Sequence, residues 1–153
     1  LSPSDPIGAV AGYRQALEIP LDARISLGAR LNLAARLMER GELDEAIALT
    51  KTATQRAPEV ALGWYNLGLM LRRRGDIAAA LEAYSRAVEL DPNNAACHQN
   101  RAVALLLGGD IEGSRAAFRT AITLLETQGR PVDAQALRTK AQGIVKLDLE
   151  PIA

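Results

Sequence analysis

Cys97 and His98 are the chain's only thiol and only imidazole, and they are adjacent. A thiol beside an imidazole is the raw material of a nucleophile with its base, or of two metal ligands. Neither reading holds here. Neighbours on a helix point in different directions, and no second histidine or cysteine exists to complete a ligand set. Cys97 reads as a small packing residue. No other nucleophile–base pair or acid–base constellation stands out. No catalytic residue, metal or cofactor is therefore assigned, and the chain is read as a non-enzyme.

What remains is binding chemistry. Asn32, Asn66 and Asn100 recur at one fixed interval. Each amide offers a donor and an acceptor, and a regular row of them suits reading a peptide backbone whatever its side chains. The plainer reading is hydrogen bonding within their own helices. Arg72, Arg73 and Arg74 close one helix, where positive charge complements the helix dipole. Of the three, Arg72 is placed to meet a partner's carboxylate. On the middle first helix, Trp64, Leu67, Gly68 and Leu71 share one face, and Leu62, Tyr65, Leu69 and Arg72 the other. Leu31, Ala35 and Met38 upstream, and Ala96, Val103 and Leu106 downstream, continue that second face. A helix apolar nearly all round is one covered on both sides. The cover is a partner's peptide or amphipathic helix, the chain's own first or last helix, or a second copy.

These residues are positioned by a repeat. Leu33, Leu67 and Arg101 stand in register at the same interval, as do Gly41, Gly75 and Gly109, then Ala53, Ala87 and Ala121. A fixed period of about 34 residues means stacked supersecondary units. Residues 1–6 form a flexible lead-in, and residues 7–19 a helix closed by Pro20. Three full units follow, 27–60, 61–94 and 95–128. Their helices are expected at about 28–40 and 43–56, 61–74 and 77–90, and 95–107 and 110–127, split by Gly41, Gly75-Asp76 and Gly108-Gly109. Pro58 and Pro92 end the second helices of the first two units. A last helix over 131–147 has Ala134, Leu137, Ala141, Ile144 and Val145 along one stripe. No segment alternates as a strand does, so the chain is all-α.

The repeats resemble the tetratricopeptide repeat family. The middle unit carries Trp64, Leu67, Gly68, Leu71, Ala80, Tyr84, Ala87 and Pro92 at the family's diagnostic places. The first has Leu33, Ala34, Leu37, Ala46, Ala53 and Pro58, with Arg30 and Thr50 where aromatics are usual. The third has Ala102, Leu105, Ser114, Phe118 and Ala121, and departs with His98, Arg101 and Glu126. The resemblance covers about residues 27–128, and Ala9, Tyr13 and Ala16 extend it to the second helix of a partial earlier unit. It implies an all-α right-handed α-solenoid of helix-turn-helix repeats with a C-terminal capping helix, and a concave groove lined by the first helices. The asparagine row looks like the ladder in the repeat region of O-linked GlcNAc transferases. The family's carboxylate clamp for chaperone tails is disfavoured, because its places hold Leu31, Ala35, Asn66, Ala96 and Asn100. Arg101 replaces a leucine on the packed side, where a charge needs a partner. It is expected to reach Glu126, Asp133, Asp148 or the 128–131 turn and so fix the last helix.

Bulk properties agree with a binding module. Eighteen basic residues balance eighteen acidic ones, and aromatics make up 3%. That leaves neither a global field nor stacking platforms for nucleic acid. No apolar run is long enough to span a bilayer and no signal-peptide pattern opens the chain, so a cytoplasmic location and no membrane partner are expected. The chain opens at Leu1 and is read as a fragment of a longer protein. The expected function is a protein–protein interaction scaffold whose groove residues are Asn32, Asn66, Asn100, Leu31, Leu62, Tyr65, Leu69, Arg72, Val103 and Leu106. The alternatives are the interaction domain of a larger glycosyl- or methyltransferase, or a self-associating module.

Overall fold

Ala, Leu and Arg, which lose little side-chain freedom in a helix, dominate the stretches between the glycines and prolines. Those stretches are helical. The computed structural model describes residues 23–147, and the expected lead-in and the helix over 7–19 lie outside them. Seven helices run through the described residues: α1 (Ala23–Glu39), α2 (Leu43–Arg56), α3 (Ala61–Arg74), α4 (Ile77–Leu90), α5 (Ala95–Leu107), α6 (Ile111–Thr127) and α7 (Pro131–Val145). No strand occurs among them. α1 starts earlier than the expected 28, because nothing in residues 23–27 breaks a helix. The described chain divides into two compact units at Asp76. In the N-terminal unit α2 packs against both α1 and α3; in the C-terminal unit α4 to α7 pack each on the next.

One turn recurs at every reversal from first helix to second. Gly41, Gly75 and Gly109 adopt φ of 81°, 95° and 87°, a left-handed backbone that costs other residues about 1–2 kcal/mol. At the middle turn Gly75 N–H donates to Arg72 O at 3.0 Å and Asp76 N–H to Leu71 O at 2.9 Å. These are the paired bonds that close a helix on a glycine. The same pair forms at Gly41–Glu42, Gly109–Asp110 and Gly129–Arg130. Gly108 is right-handed, so only the second glycine of that pair is needed for the turn.

Once reversed, the two helices cross closely. In the C-terminal unit the Ser114 hydroxyl donates to the Ala102 carbonyl at 2.7 Å, and both residues are fully buried. The same places in the N-terminal unit hold Ala34 and Ala46, each with no exposed surface. Small side chains let backbones approach, and larger ones fill the space on either side.

Thr50, where the family has an aromatic, is completely buried. Its hydroxyl donates to Ala46 O at 2.8 Å and lies 3.2 Å from Met70 Sδ. The two corresponding places one repeat later hold Tyr84 and Ala104, both buried. A small residue with a large one is thus replaced by a large with a small, which conserves volume.

The terminal helix is secured differently from the expectation. Arg101 is half-buried and makes no ion pair among the described residues. Two of its expected partners are engaged elsewhere: Glu126 pairs with Arg138, and Asp133 with Arg130 at 2.9 Å. Asp148 lies outside the described residues. Arg115 of α6 instead donates from Nε to the Val145 carbonyl at 2.8 Å and also pairs with Glu112. Lys146 then turns left-handed at φ 46°, which ends α7 before the expected 147. The turn tucks Leu147 into the core with no exposed surface. Ala134, Leu137, Ala141 and Val145 are buried as expected, but Ile144 is 43% exposed. It lies at the edge of that stripe, about 100° round the helix from Val145.

Two outcomes test this packing. Thr50→Tyr alone should cost about 1–3 kcal/mol by overpacking against Met70. Adding Met70→Ala should recover part of that loss, seen as a favourable coupling in a denaturant double-mutant cycle. Arg115→Ala should speed hydrogen exchange over residues 131–145 while leaving α1 to α3 unchanged, and Arg101→Ala should leave α7 protected.

Candidate functional site

The expected groove residues lie on the first helices of the hairpins, α1, α3 and α5. Each unit shows its own part of that surface. On α3 the packed side is Gly63, Leu67, Gly68, Met70 and Leu71, all buried. The other side is partly open: Leu62 is 54% exposed, and Tyr65, Asn66, Leu69 and Arg72 are half-buried. A large leucine exposed to this degree, next to a tyrosine and a second leucine, is an apolar strip with water on it. On α1, Asn32 is exposed, whereas Leu31 is buried at 8% exposure. Leu31 therefore has little surface left for a partner. On α5, Val103, Leu106 and Asn100 are half-buried.

The asparagines differ in what their amides do. Asn100 donates from Nδ2 to Ala96 O of its own helix at 2.9 Å. That bond is the plain local one, and it spends a donor that a peptide backbone would need.

The three arginines at the end of α3 also separate. Arg74 bonds Asp76 at 2.7 Å through Nε and Asp44 at 2.9 Å through Nη1, tying the ends of α2 and α3 together. Its hydrogen bonds to Asp76 and then Asp44 raise its pKa above the ordinary guanidinium value. Arg73 is exposed. Arg72 keeps its Nε buried with no hydrogen-bond partner among the described residues.

His98 has a structural part. In the middle repeat Trp64 Nε1 donates to Pro58 O at 2.8 Å. At the same place one repeat later, His98 Nε2 lies 2.8 Å from Pro92 O. A carbonyl only accepts, so the imidazole proton sits on Nε2. A ring N–H thus latches the start of a first helix to the preceding proline turn in both repeats. Arg30 holds the equivalent place in α1; burial first and the Arg56 charge second lower its pKa.

Cys97 is buried at 1% exposure, with Sγ 3.9 Å from Tyr84 O. Burial, then the nearby Asp91, pushes its thiol up to about 11, with Arg101 opposing. Burial and a raised pKa make this thiol a poor nucleophile at neutral pH. No cluster of three or more His, Cys, Asp or Glu able to hold a metal occurs among the described residues. None of the described helices is long and apolar enough to cross a membrane.

One feature was not legible from the motifs. A pocket of about 270 Å³ opens between α5 and α7, lined in part by Ala96, Gln99, Arg130 and Lys140. Its signal was present in the register. Ala96 and Gln99 occupy the places of Leu62 and Tyr65, and losing two large side chains leaves room.

The Cys97 environment carries a pH prediction. Its folded pKa of about 11 lies above the unfolded thiol's. Between the two values the unfolded chain sheds the proton and the folded chain keeps it. The stability from this group is complete below the ordinary thiol pKa and declines as pH rises through the window. Cys97→Ser should flatten that decline in the alkaline limb of a stability–pH profile, and native Cys97 should alkylate far more slowly than the unfolded chain.

The fold recurs in solved structures at low sequence identity. The crystal structure of MamA superposes with a TM-score of 0.72 at 20% identity, covering 93% of this chain and 90% of that one. PcrH, in complex with the chaperone binding region of PopD, gives a TM-score of 0.70 at 22% identity, covering 79% and 89%. The TPR2B domain of yeast Sti1, in a complex with a pHsp70 component, gives 0.67 at 18% identity, covering 76% and 96%. No curated protein matches the sequence. The tetratricopeptide repeat family model matches residues 31–95 and 75–128, more than half of the chain. With its glycine turns, close helix crossings and proline latches, this all-α chain belongs to the tetratricopeptide repeat family.

Proposed function

We propose that this chain is a protein-interaction module of three repeats, 27–60, 61–94 and 95–128, closed by its last helix. It takes a partner's peptide or amphipathic helix against its first helices. The observation that carries this is α3, whose outer side presents Leu62 at 54% exposure beside Tyr65 and Leu69 while Leu67, Gly68 and Leu71 are buried on its inner side and Trp64 there is half-buried. An exposed leucine beside a half-buried tyrosine and leucine on a rigid helix is what an interaction hot spot is made of. Arg72 at the end of the strip supplies a charge for a partner carboxylate, and Asn32 and Asn66 supply amides for its backbone. Two structural relatives are named in complexes with a binding region of PopD and with pHsp70, which supports a partner of this kind.

A random dodecapeptide library displayed on phage tests the reading. Selection on the protein should enrich a sequence family whose synthetic representative binds in solution. Leu62→Glu should weaken that peptide at least tenfold, about 1.4 kcal/mol, with the circular dichroism spectrum unchanged. No enrichment, or full affinity in Leu62→Glu, would overturn it.

A further inference from the structure

The pocket between α5 and α7 lies wholly in the C-terminal unit. Ala95, Leu125 and Leu137 are buried and form its floor. Ala96 and Ala136 are exposed and form low walls. Its volume of about 270 Å³ exceeds the roughly 150 Å³ of an apolar cavity that takes benzene. One large aliphatic or aromatic side chain fits with room beside it.

The rim is polar and carries net positive charge. Gln99, Arg130, Asp133 and Lys140 line it. Arg130 holds Asp133 through Nε at 2.9 Å, which neutralises one positive charge within the chain. Lys140 makes no ion pair and Gln99 no hydrogen bond among the described residues. Among the described residues, therefore, an ammonium without an ion pair and an amide without a hydrogen bond stand at the rim of an apolar floor, and the charge left uncompensated there is positive.

The register shows how the opening arises. Ala96 and Gln99 stand where α3 has Leu62 and Tyr65. The middle repeat presents large apolar side chains outward. The third repeat withdraws them at the same two places, so a protrusion becomes a recess.

We propose that this recess is an anchor site for a partner peptide. It seats one bulky apolar side chain over Leu125 and Leu137, and Lys140, with Gln99 beside it, takes a carboxylate one or two residues away. This rests on the peptide-binding reading above and adds the chemistry of the ligand: an acidic residue flanking a large apolar one. The complementarity is electrostatic at the rim and steric at the floor, so the two halves can be broken separately.

The same random dodecapeptide selection tests it. Peptides enriched on the protein should carry Asp or Glu within two positions of Leu, Ile, Met, Phe or Trp. Ala96→Leu restores the side chain of the preceding repeat at an exposed place and fills the recess. It should weaken the enriched peptide at least tenfold while the thermal melt is unchanged. Ala136→Leu fills the recess from the other wall and should do the same. Lys140→Glu should weaken the acidic peptide and favour its Asp/Glu→Lys counterpart. Full affinity in both leucine variants, or the absence of any acidic preference, would overturn the anchor site. If those results accompany a loss in Leu62→Glu, peptide binding stands and only the anchor falls; no enrichment at all overturns both.

Discussion

Everything in this molecule depends on a backbone reversal that only glycine makes cheaply. At Gly41, Gly75 and Gly109 the chain turns left-handed for one residue, and the following amide reaches back to close the helix. Within each unit, at Gly41 and at Gly109, that bond fixes the angle at which the second helix departs. The departure angle brings the pair together at Ala34 and Ala46, and at Ala102 and Ser114, where only small side chains fit. The Ser114 hydroxyl shows how close the approach is, because it reaches the backbone carbonyl of the facing helix directly. Where both conditions hold, in the first and third hairpins, the outward and inward faces of the paired helices are settled.

Within that frame, departures from the family pattern are absorbed by neighbours. Thr50 is too small for an aromatic's place, and Met70, an unbranched side chain suited to irregular gaps, fills the difference. His98 replaces a tryptophan and keeps the one feature of the ring that matters locally, an N–H aimed at a proline carbonyl. Where the third repeat lacks its proline, α6 runs on to Thr127 and a fourth glycine turn at Gly129 makes the reversal. Gln128 then bonds Asn93 O at 2.7 Å and ties that turn back to the preceding loop. The family motif thus behaves as a set of volumes and hydrogen bonds more than as a list of residues.

The same logic separates surface from scaffold. Positions that close a turn or a crossing have no freedom to face a partner. Arg74 is one: two carboxylates hold it. Leu62 is exposed, and so is Ala96, its counterpart one repeat later, so neither side chain is packed into the scaffold. Variation at such positions changes what the surface offers without disturbing the fold, which is why one repeat presents a ridge and the next a recess.

Fold class, helix ends and the packed faces were legible in the sequence because each is set locally. A glycine turn, a proline stop and a 3.6-residue apolar period depend only on nearby residues, and the expected α2 to α5 have the observed ends. The inward side of α3 was likewise readable from Leu67, Gly68 and Leu71. What held the last helix was not. The sequence pointed to Arg101, which breaks the pattern, yet Arg115 reaches the Val145 carbonyl 30 residues away. A long side chain has several carboxylates and carbonyls within reach, and only the positions of neighbouring helices choose among them. The burial of Leu147, the exposure of Ile144 and the recess beside Ala96 were decided in the same way, by which surfaces met once the helices had packed.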